Sequence, residues 1–303
     1  MLGIQWLEDR PRLNRIWEET RQLSITVYSE LWRTRVFTIA AGLSFYFLMS
    51  LVPLLIIFSS LLQFLPIPNI FQQMLNLMAQ LVPPDSMEFV EKVVASILSP
   101  NREKLLSFGI VSYLWASTGG FSSLIESLDI AYDVQVSRAW WKDRLRALML
   151  TFTSGGLVLI SLLVFVAGPH FGHYLNLFFP MPGMFEHLWP ALRLALTFVT
   201  FVAGLEIIYY MGPNAKHSFA STLPGALFAI VVWFLGSAGL SYYLQHLSNY
   251  NATYGSMGAL MGLMLWFYIT SLAILVGAEV NAELSKERQA RRDGVPVAQA
   301  AVN

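Results

Sequence analysis

The chain has 303 residues, of which 55% are hydrophobic and only 13% charged. Soluble domains are about one quarter charged, so this composition excludes an ordinary soluble enzyme and a disordered chain. Nineteen basic residues balance nineteen acidic ones, which argues against nucleic acid as a partner, and the lack of cysteine excludes disulfides, thiolate catalysis and cysteine-ligated zinc.

Residues 1–35 carry an apolar stripe of Leu13, Ile16, Trp17, Thr20, Leu23 and Val27 with arginines between. That pattern predicts an amphipathic helix along the cytoplasmic interface, its cations near anionic headgroups. A helix crossing hydrocarbon needs about 20 apolar residues. Residues 36–62 are uncharged and give the first span; residues 105–125, 147–169, 188–211, 219–244 and 252–278 give five more, of which 188–211 holds Arg193 and Glu206. Six such runs cannot share one soluble core, so the expected fold is all-α, a polytopic membrane protein with six transmembrane helices.

Between the first and second spans, residues 70–98 predict an external helical hairpin. Ile70, Phe71, Met74, Leu75, Met78 and Leu81 repeat with helical spacing up to Pro83-Pro84. Asp85 and Glu88 then resemble a capping box, and Val90, Val93, Val94, Ile97 and Leu98 form a second apolar stripe before Pro100. The membrane domain is expected to cover 36–283, with 284–303 a flexible cytoplasmic tail.

Fifteen of the nineteen Lys and Arg fall before the first span, in the second-to-third and fourth-to-fifth connections, and in the tail. The positive-inside bias therefore puts both termini in the cytoplasm, as an even number of spans requires. The first apolar run is too long and begins too late for a cleaved signal, so it is expected to remain as an anchor.

Ionisable groups at bilayer depth are costly and are the default site candidates. Glu126, Asp129 and Asp133, at i, i+3 and i+7, are expected to form a carboxylate column on one helix face, neutralised by Arg138, Arg144 and Arg146 and lining the inner mouth of a polar path. Glu206 lies roughly 20 Å from Arg193 along the helix, so it needs a partner from another span, a wet cavity or a proton. Glu279 and Asn281 close the last span, whose external start carries Tyr254 and Gly255. Pro53, Pro213, Pro224 and Gly225 are expected to break helices into moving parts, and Gly119-Gly120 to let a helix bend or another backbone approach.

No Gly-rich phosphate loop is present, so ATP is not an expected driver. His170, His173 and His187 fall in the second external loop without a nearby carboxylate at short spacing, and no metal or cofactor is assigned.

From about Val36 to Glu283 the chain resembles the YihY/virulence factor BrkB family of bacterial inner-membrane proteins. The resemblance rests on Ala40-Ala41-Gly42-Leu43-Ser44-Phe45-Tyr46, Asp129-Ile130-Ala131-Tyr132-Asp133, Tyr210-Met211-Gly212-Pro213-Asn214 and Leu223-Pro224-Gly225-Ala226. Tyr250-Asn251-Ala252-Thr253-Tyr254-Gly255-Ser256 followed by Gly277-Ala278-Glu279-Val280-Asn281 is its most specific part. It implies six spans with cytoplasmic termini, a link to envelope integrity, and transport of lipid-like or small solutes. Some members carry a ribonuclease BN label, but this chain lacks the His- and Asp-rich metal motif and the soluble scaffold such an enzyme needs. The expectation is a non-enzymatic secondary transporter or exporter in contact with membrane lipid. The alternative is an envelope scaffold that docks a protein partner through the hairpin. A homo-oligomer fits either.

Overall fold

Hydrocarbon offers backbone groups no partner, so a chain this apolar must pair them within helices. The computed structural model describes residues 10–62, 102–134, 139–178, 184–215, 218–246 and 256–293, with isolated positions between 72 and 92. Seven helices account for the described segments: α1 (Arg10–Arg33), α2 (Val36–Leu62), α3 (Arg102–Ala131), α4 (Trp140–Phe178), α5 (Met184–Met211), α6 (Phe219–His246) and α7 (Ser256–Asp293). Helices α2 to α7 form a closed ring in chain order, with α7 returning to pack on α2 and α1 leaning on both.

The ring is greasy outside and polar in places within. Phe108, Val111, Trp115, Val199, Phe234 and Leu235 are exposed, whereas Ser117, Thr151, Ser154, Glu206, Thr222 and Asn281 are buried. A surface this apolar suits lipid, not water. Interior hydroxyls are largely satisfied within their own helices: Thr151, Ser154 and Ser271 donate to the carbonyls of Ala147, Leu150 and Phe267.

Five helices, α2, α4, α5, α6 and α7, are long and apolar enough to cross a membrane. The remaining expected span falls on α3, an unbroken helix of 30 residues that is less apolar and is not among these five. Nine Ser, Thr and Gly lie between Leu105 and Ile125, because much of this helix faces its neighbours. Gly109 admits Ile56 of α2, and a Cβ there would sit 2.7 Å from the Ile56 Cγ2. Gly119 and Gly120 receive the Tyr46 ring, so this pair serves close approach within a continuous helix.

Other boundaries differ from expectation. Helix α4 continues past Pro169 to Phe178, which makes His170 and His173 helical rather than part of a loop. Helix α7 continues to Asp293, so residues 284–293 are not a flexible tail. Its last turns are held by Lys286, which pairs with Glu283 at 2.8 Å and with Asp133 at 2.7 Å. Helices α2 and α6 run through Pro53 and Pro224 without interruption, and at Pro224 side chains of α7 bond the neighbouring backbone groups. Helix α1 turns Val27 inward and leaves Trp17, Ile25, Tyr28 and Trp32 exposed. The hairpin of residues 70–98 for the most part, the 247–255 segment with Tyr254 and Gly255, Arg138, and residues 294–303 lie outside the described residues.

The buried core lies toward the end of the ring where the α1–α2 turn, the end of α3 and the later turns of α7 meet. It includes Val36, Ala40, Leu128, Ile208, Tyr209 and Ala226. There α6 and α7 cross at Gly225 and Gly277, where an added Cβ at either would overlap the other's carbonyl oxygen. Gly239 has open space around it. Gly225→Ala is therefore expected to lower stability by about 1–3 kcal/mol, read as a lower thermal midpoint in detergent, while Gly239→Ala leaves the midpoint unchanged or slightly raised.

Candidate functional site

Proline at position 224 has no N–H and disturbs the helical ladder around it. In a regular helix the Gly225 N–H would bond the Ser221 carbonyl. Here it donates to Asn281 Oδ1 of α7 at 2.8 Å, and the Ser221 carbonyl accepts from Arg288 at 3.3 Å. The Asn281 amide also donates to the Thr222 carbonyl at 2.7 Å. One side-chain amide thus stitches both sides of the proline turn to α7. Its neighbours complete a polar layer. The Thr222 hydroxyl donates to Glu206 Oε2 of α5, and the Tyr209 hydroxyl donates to the Ile274 carbonyl at 2.7 Å.

Glu206 and Asn281 are each 2% exposed and Glu279 is 1% exposed. Glu279 Oε1 accepts from the Thr34 hydroxyl at 2.7 Å, which ties α7 to the turn between α1 and α2. Each carboxyl thus has one oxygen on a threonine. The other oxygen, Oε1 of Glu206 and Oε2 of Glu279, is buried with no hydrogen-bond partner. Neither forms an ion pair with a described cation. A bare buried carboxylate is strongly disfavoured, so both positions favour a proton or an entering cation.

The expected carboxylate column is dispersed. Helix α3 ends at Ala131, and Asp133 lies beyond it in a left-handed turn with φ 52°. Asp133 pairs with Arg33 at 2.8 Å and Lys286 at 2.7 Å, joining α1, the end of α3 and α7. Asp129 accepts from the Asn214 N–H at 2.6 Å, which fixes the bend after α5 at Gly212-Pro213. Glu126 is exposed. Among the cations expected to neutralise the column, Arg144 reaches the Ser122 hydroxyl at 3.5 Å and Arg146 the Met211 carbonyl at 3.4 Å. Burial pushes the Asp133 carboxyl up, but the hydrogen bonds from Lys286 and Arg33 outweigh it and hold it below the ordinary carboxylate range. The same bond to Asp133, then that to Glu30, raises the Arg33 guanidinium above its usual value. Burial, then the nearby Glu206 and Glu279, push the Tyr132 phenol up.

Two cavities lie on either side of the layer. One, of about 280 Å³, lies between α2 to α7 and is lined by Tyr46, Phe47, Phe201, Trp233, Trp266 and Phe267, with Leu205, Ile208, Ala229, Ile230 and Ile274 at the layer. The other, of about 1350 Å³, is an open vestibule lined by Tyr132, Arg146, Ser221, Ala282, Lys286, Arg288 and Arg292 among others. Along α7 the order is Ile274 in the cavity, Gly277 and Asn281 in the layer, then Ala282 in the vestibule. Along α6 it is Ile230, then Gly225 and Thr222, then Ser221. The layer is therefore about 12 Å thick at α7. Glu126, Asp129 and Asp133 are absent from the vestibule lining, so this mouth is basic, the reverse of the acidic mouth expected.

Of the sequence candidates, Glu206, Asn281, Pro224 and Gly225 meet in one layer, with Glu279 on the adjoining turn of α7. Pro53, Gly119 and Gly120 lie in α2 and α3, Pro213 closes α5, and Asp129 and Asp133 tie the basic end. Sequence reasoning missed Thr222, Tyr209, Thr34, Arg33 and Arg288. Thr222 had a signal, standing two residues before a helix proline. Among the described residues no three His, Asp or Glu gather so as to hold a metal ion.

A ring of apolar helices that hides a polar layer and two cavities defines an integral membrane protein. The chain belongs to the BrkB family: the family model described as "Virulence factor BrkB" matches residues 27–301. It is 34% identical over 250 residues to a Bacillus subtilis protein named putative ribonuclease-like protein YfkH, covering 82% of this chain and 90% of that one. It is 24% identical over 273 residues to a UPF0761 membrane protein of Tolumonas auensis, covering 88% and 86%, and 24% identical over 253 residues to one of Haemophilus influenzae, covering 82% and 89%. No solved structure matches.

The Arg33–Asp133 pair is partly exposed, so its coupling is modest. A double-mutant cycle with Arg33→Ala and Asp133→Ala is expected to give about 0.5–1 kcal/mol in thermal unfolding. Because the folded Asp133 value is depressed, its contribution is present above the ordinary carboxylate range. It fades as pH falls through that range and the lower folded value, so the deficit of Asp133→Asn at neutral pH shrinks in acid.

Proposed function

We propose that the protein is a secondary transporter of a lipid-like or small solute in the bacterial inner membrane, contributing to envelope integrity, with six spans and both chain ends cytoplasmic. The observation that carries this reading is the pair of cavities on opposite sides of one polar layer. A scaffold has no use for internal space divided in this way, whereas alternating access needs a closed barrier between two compartments. Glu206 and Glu279 bind the coupling proton or cation. Support comes from their burial, their one-sided threonine contacts and their unpartnered second oxygens. Opening the layer would wet both carboxyls and let them exchange that charge.

The fifteen-to-four division of cations supports the cytoplasmic placement of the vestibule and of both termini. No enzymatic role is assigned. The ribonuclease-like name belongs to the Bacillus relative, and the layer offers buried carboxyls on threonine hydroxyls and one amide on backbone groups rather than a constellation aimed at a phosphodiester. The scaffold reading rests on the 70–98 hairpin, most of which lies outside the described residues.

Proteoliposomes carrying a fluorescent phosphatidylglycerol test the proposal, with flux read by external chemical quenching under an imposed pH gradient. Flux is expected to follow the gradient, and Glu206→Gln, which keeps the size of the side chain, is expected to cut the gradient-dependent rate at least about tenfold while the thermal midpoint holds. Rates equal to those of protein-free vesicles, or rates unchanged in both Glu206→Gln and Glu279→Gln, would contradict it.

A further inference from the structure

We infer that the vestibule is a binding site for the phosphate-class headgroup of an anionic amphiphile. Four cations line it, Arg146 from α4 and Lys286, Arg288 and Arg292 from α7, and no Asp or Glu is among its lining residues. Lys286 is accounted for by Asp133 and Glu283. Arg288 touches only a neutral acceptor, the Ser221 carbonyl at 3.3 Å, and neither Arg288 nor Arg292 forms an ion pair with a described carboxylate.

Arg288 and Arg292 stand four residues apart, on one face of α7. Like charges at that spacing repel and destabilise a helix, so a pair kept without a carboxylate is a pair suited to an anion from outside the chain. Guanidinium groups match phosphate oxygens in a planar, two-pronged geometry that a lysine cannot offer. The Ser285 hydroxyl adds a neutral donor to the same wall.

The other wall is apolar. Met149 and Leu150 of α4 and Tyr210 and Met211 of α5 line it, with Met149 and Tyr210 exposed. A cationic wall facing an apolar one fits a molecule with a charged head and a greasy body better than a free ion. The central aromatic cavity beyond the layer continues that apolar character. The inference names the substrate class of the transport reading and rests on that reading for its role, but binding is measured without flux.

The test uses the purified full chain in non-ionic detergent, titrated calorimetrically with dioctanoyl phosphatidylglycerol, dioctanoyl phosphatidylcholine and inorganic phosphate at low and high salt. Phosphatidylglycerol is expected to bind at least about tenfold tighter than phosphatidylcholine, to weaken with salt, and to lose at least about tenfold in Arg288→Gln/Arg292→Gln. Arg292→Gln alone, at an exposed position, keeps the test open if the double variant fails to fold, with a loss of about threefold or more expected. Inorganic phosphate binding as tightly as phosphatidylglycerol overturns the amphiphile and leaves a free-anion site. Equal binding of the two lipids, or binding indifferent to the arginine substitutions, overturns the anion site. Binding that holds while gradient-driven flux is absent removes the transport reading and leaves this one standing. Flux that persists without arginine-dependent binding does the reverse.

Discussion

A backbone group that loses its partner inside hydrocarbon cannot turn to water, and at Pro224 that constraint is met by a single side chain. Asn281 accepts from Gly225 and donates to the Thr222 carbonyl, so α7 braces the proline turn of α6. Only glycine at 225 and 277 allows the two helices to come close enough for this. Once α6 and α7 are locked there, Thr222 is positioned to meet Glu206, and the Tyr209 hydroxyl closes on the Ile274 carbonyl. The polar layer follows from one helix defect and the amide that repairs it.

Around the layer, the basic end is tied crosswise. Arg33, Asp133 and Lys286 link three elements distant in sequence, and Glu279 reaches the turn at Thr34. These are polar contacts near water, each modest in strength. The layer itself lies in a drier setting, where the same kinds of contact are stronger and harder to leave unmet. In the transport reading proposed above, the two buried carboxyls set the condition for opening, because ionising them without a cation is costly.

The ring was legible in the sequence because hydrophobic length is a one-dimensional signal. Each of the five helices apolar enough to cross a membrane coincides with an expected apolar run, while the run expected at 105–125 falls in α3, whose serines and glycines lower its apolarity. Helix ends were less legible. Pro169 and the polar composition after Glu287 read as stops, but α4 and α7 run on, since proline is tolerated in bilayer helices and α7 is held by Lys286 and Arg288. The carboxylate column failed because a 3.6-residue period was extended past Ala131, where the chain leaves the helix. The sign of the mouth could not be read either. It depends on which faces of α4 and α7 meet across space, and sequence spacing gives no such pairing. Glu206 and Asn281 were legible as costly polar groups, but their shared partner Thr222 was not, because a threonine in a membrane helix usually satisfies itself.

The barrier between the cavities can be read with single cysteines, since the natural chain has none. Ser285 lines the vestibule and Ser154 the central cavity. With a membrane-impermeant maleimide applied from the vestibule face, Ser285→Cys is expected to react and Ser154→Cys to stay protected. Adding Asn281→Ala to Ser154→Cys should then speed its labelling from that face at least about tenfold. Ser154→Cys labelled as fast as Ser285→Cys from the same face, with Asn281 in place, would contradict a closed layer held by that amide.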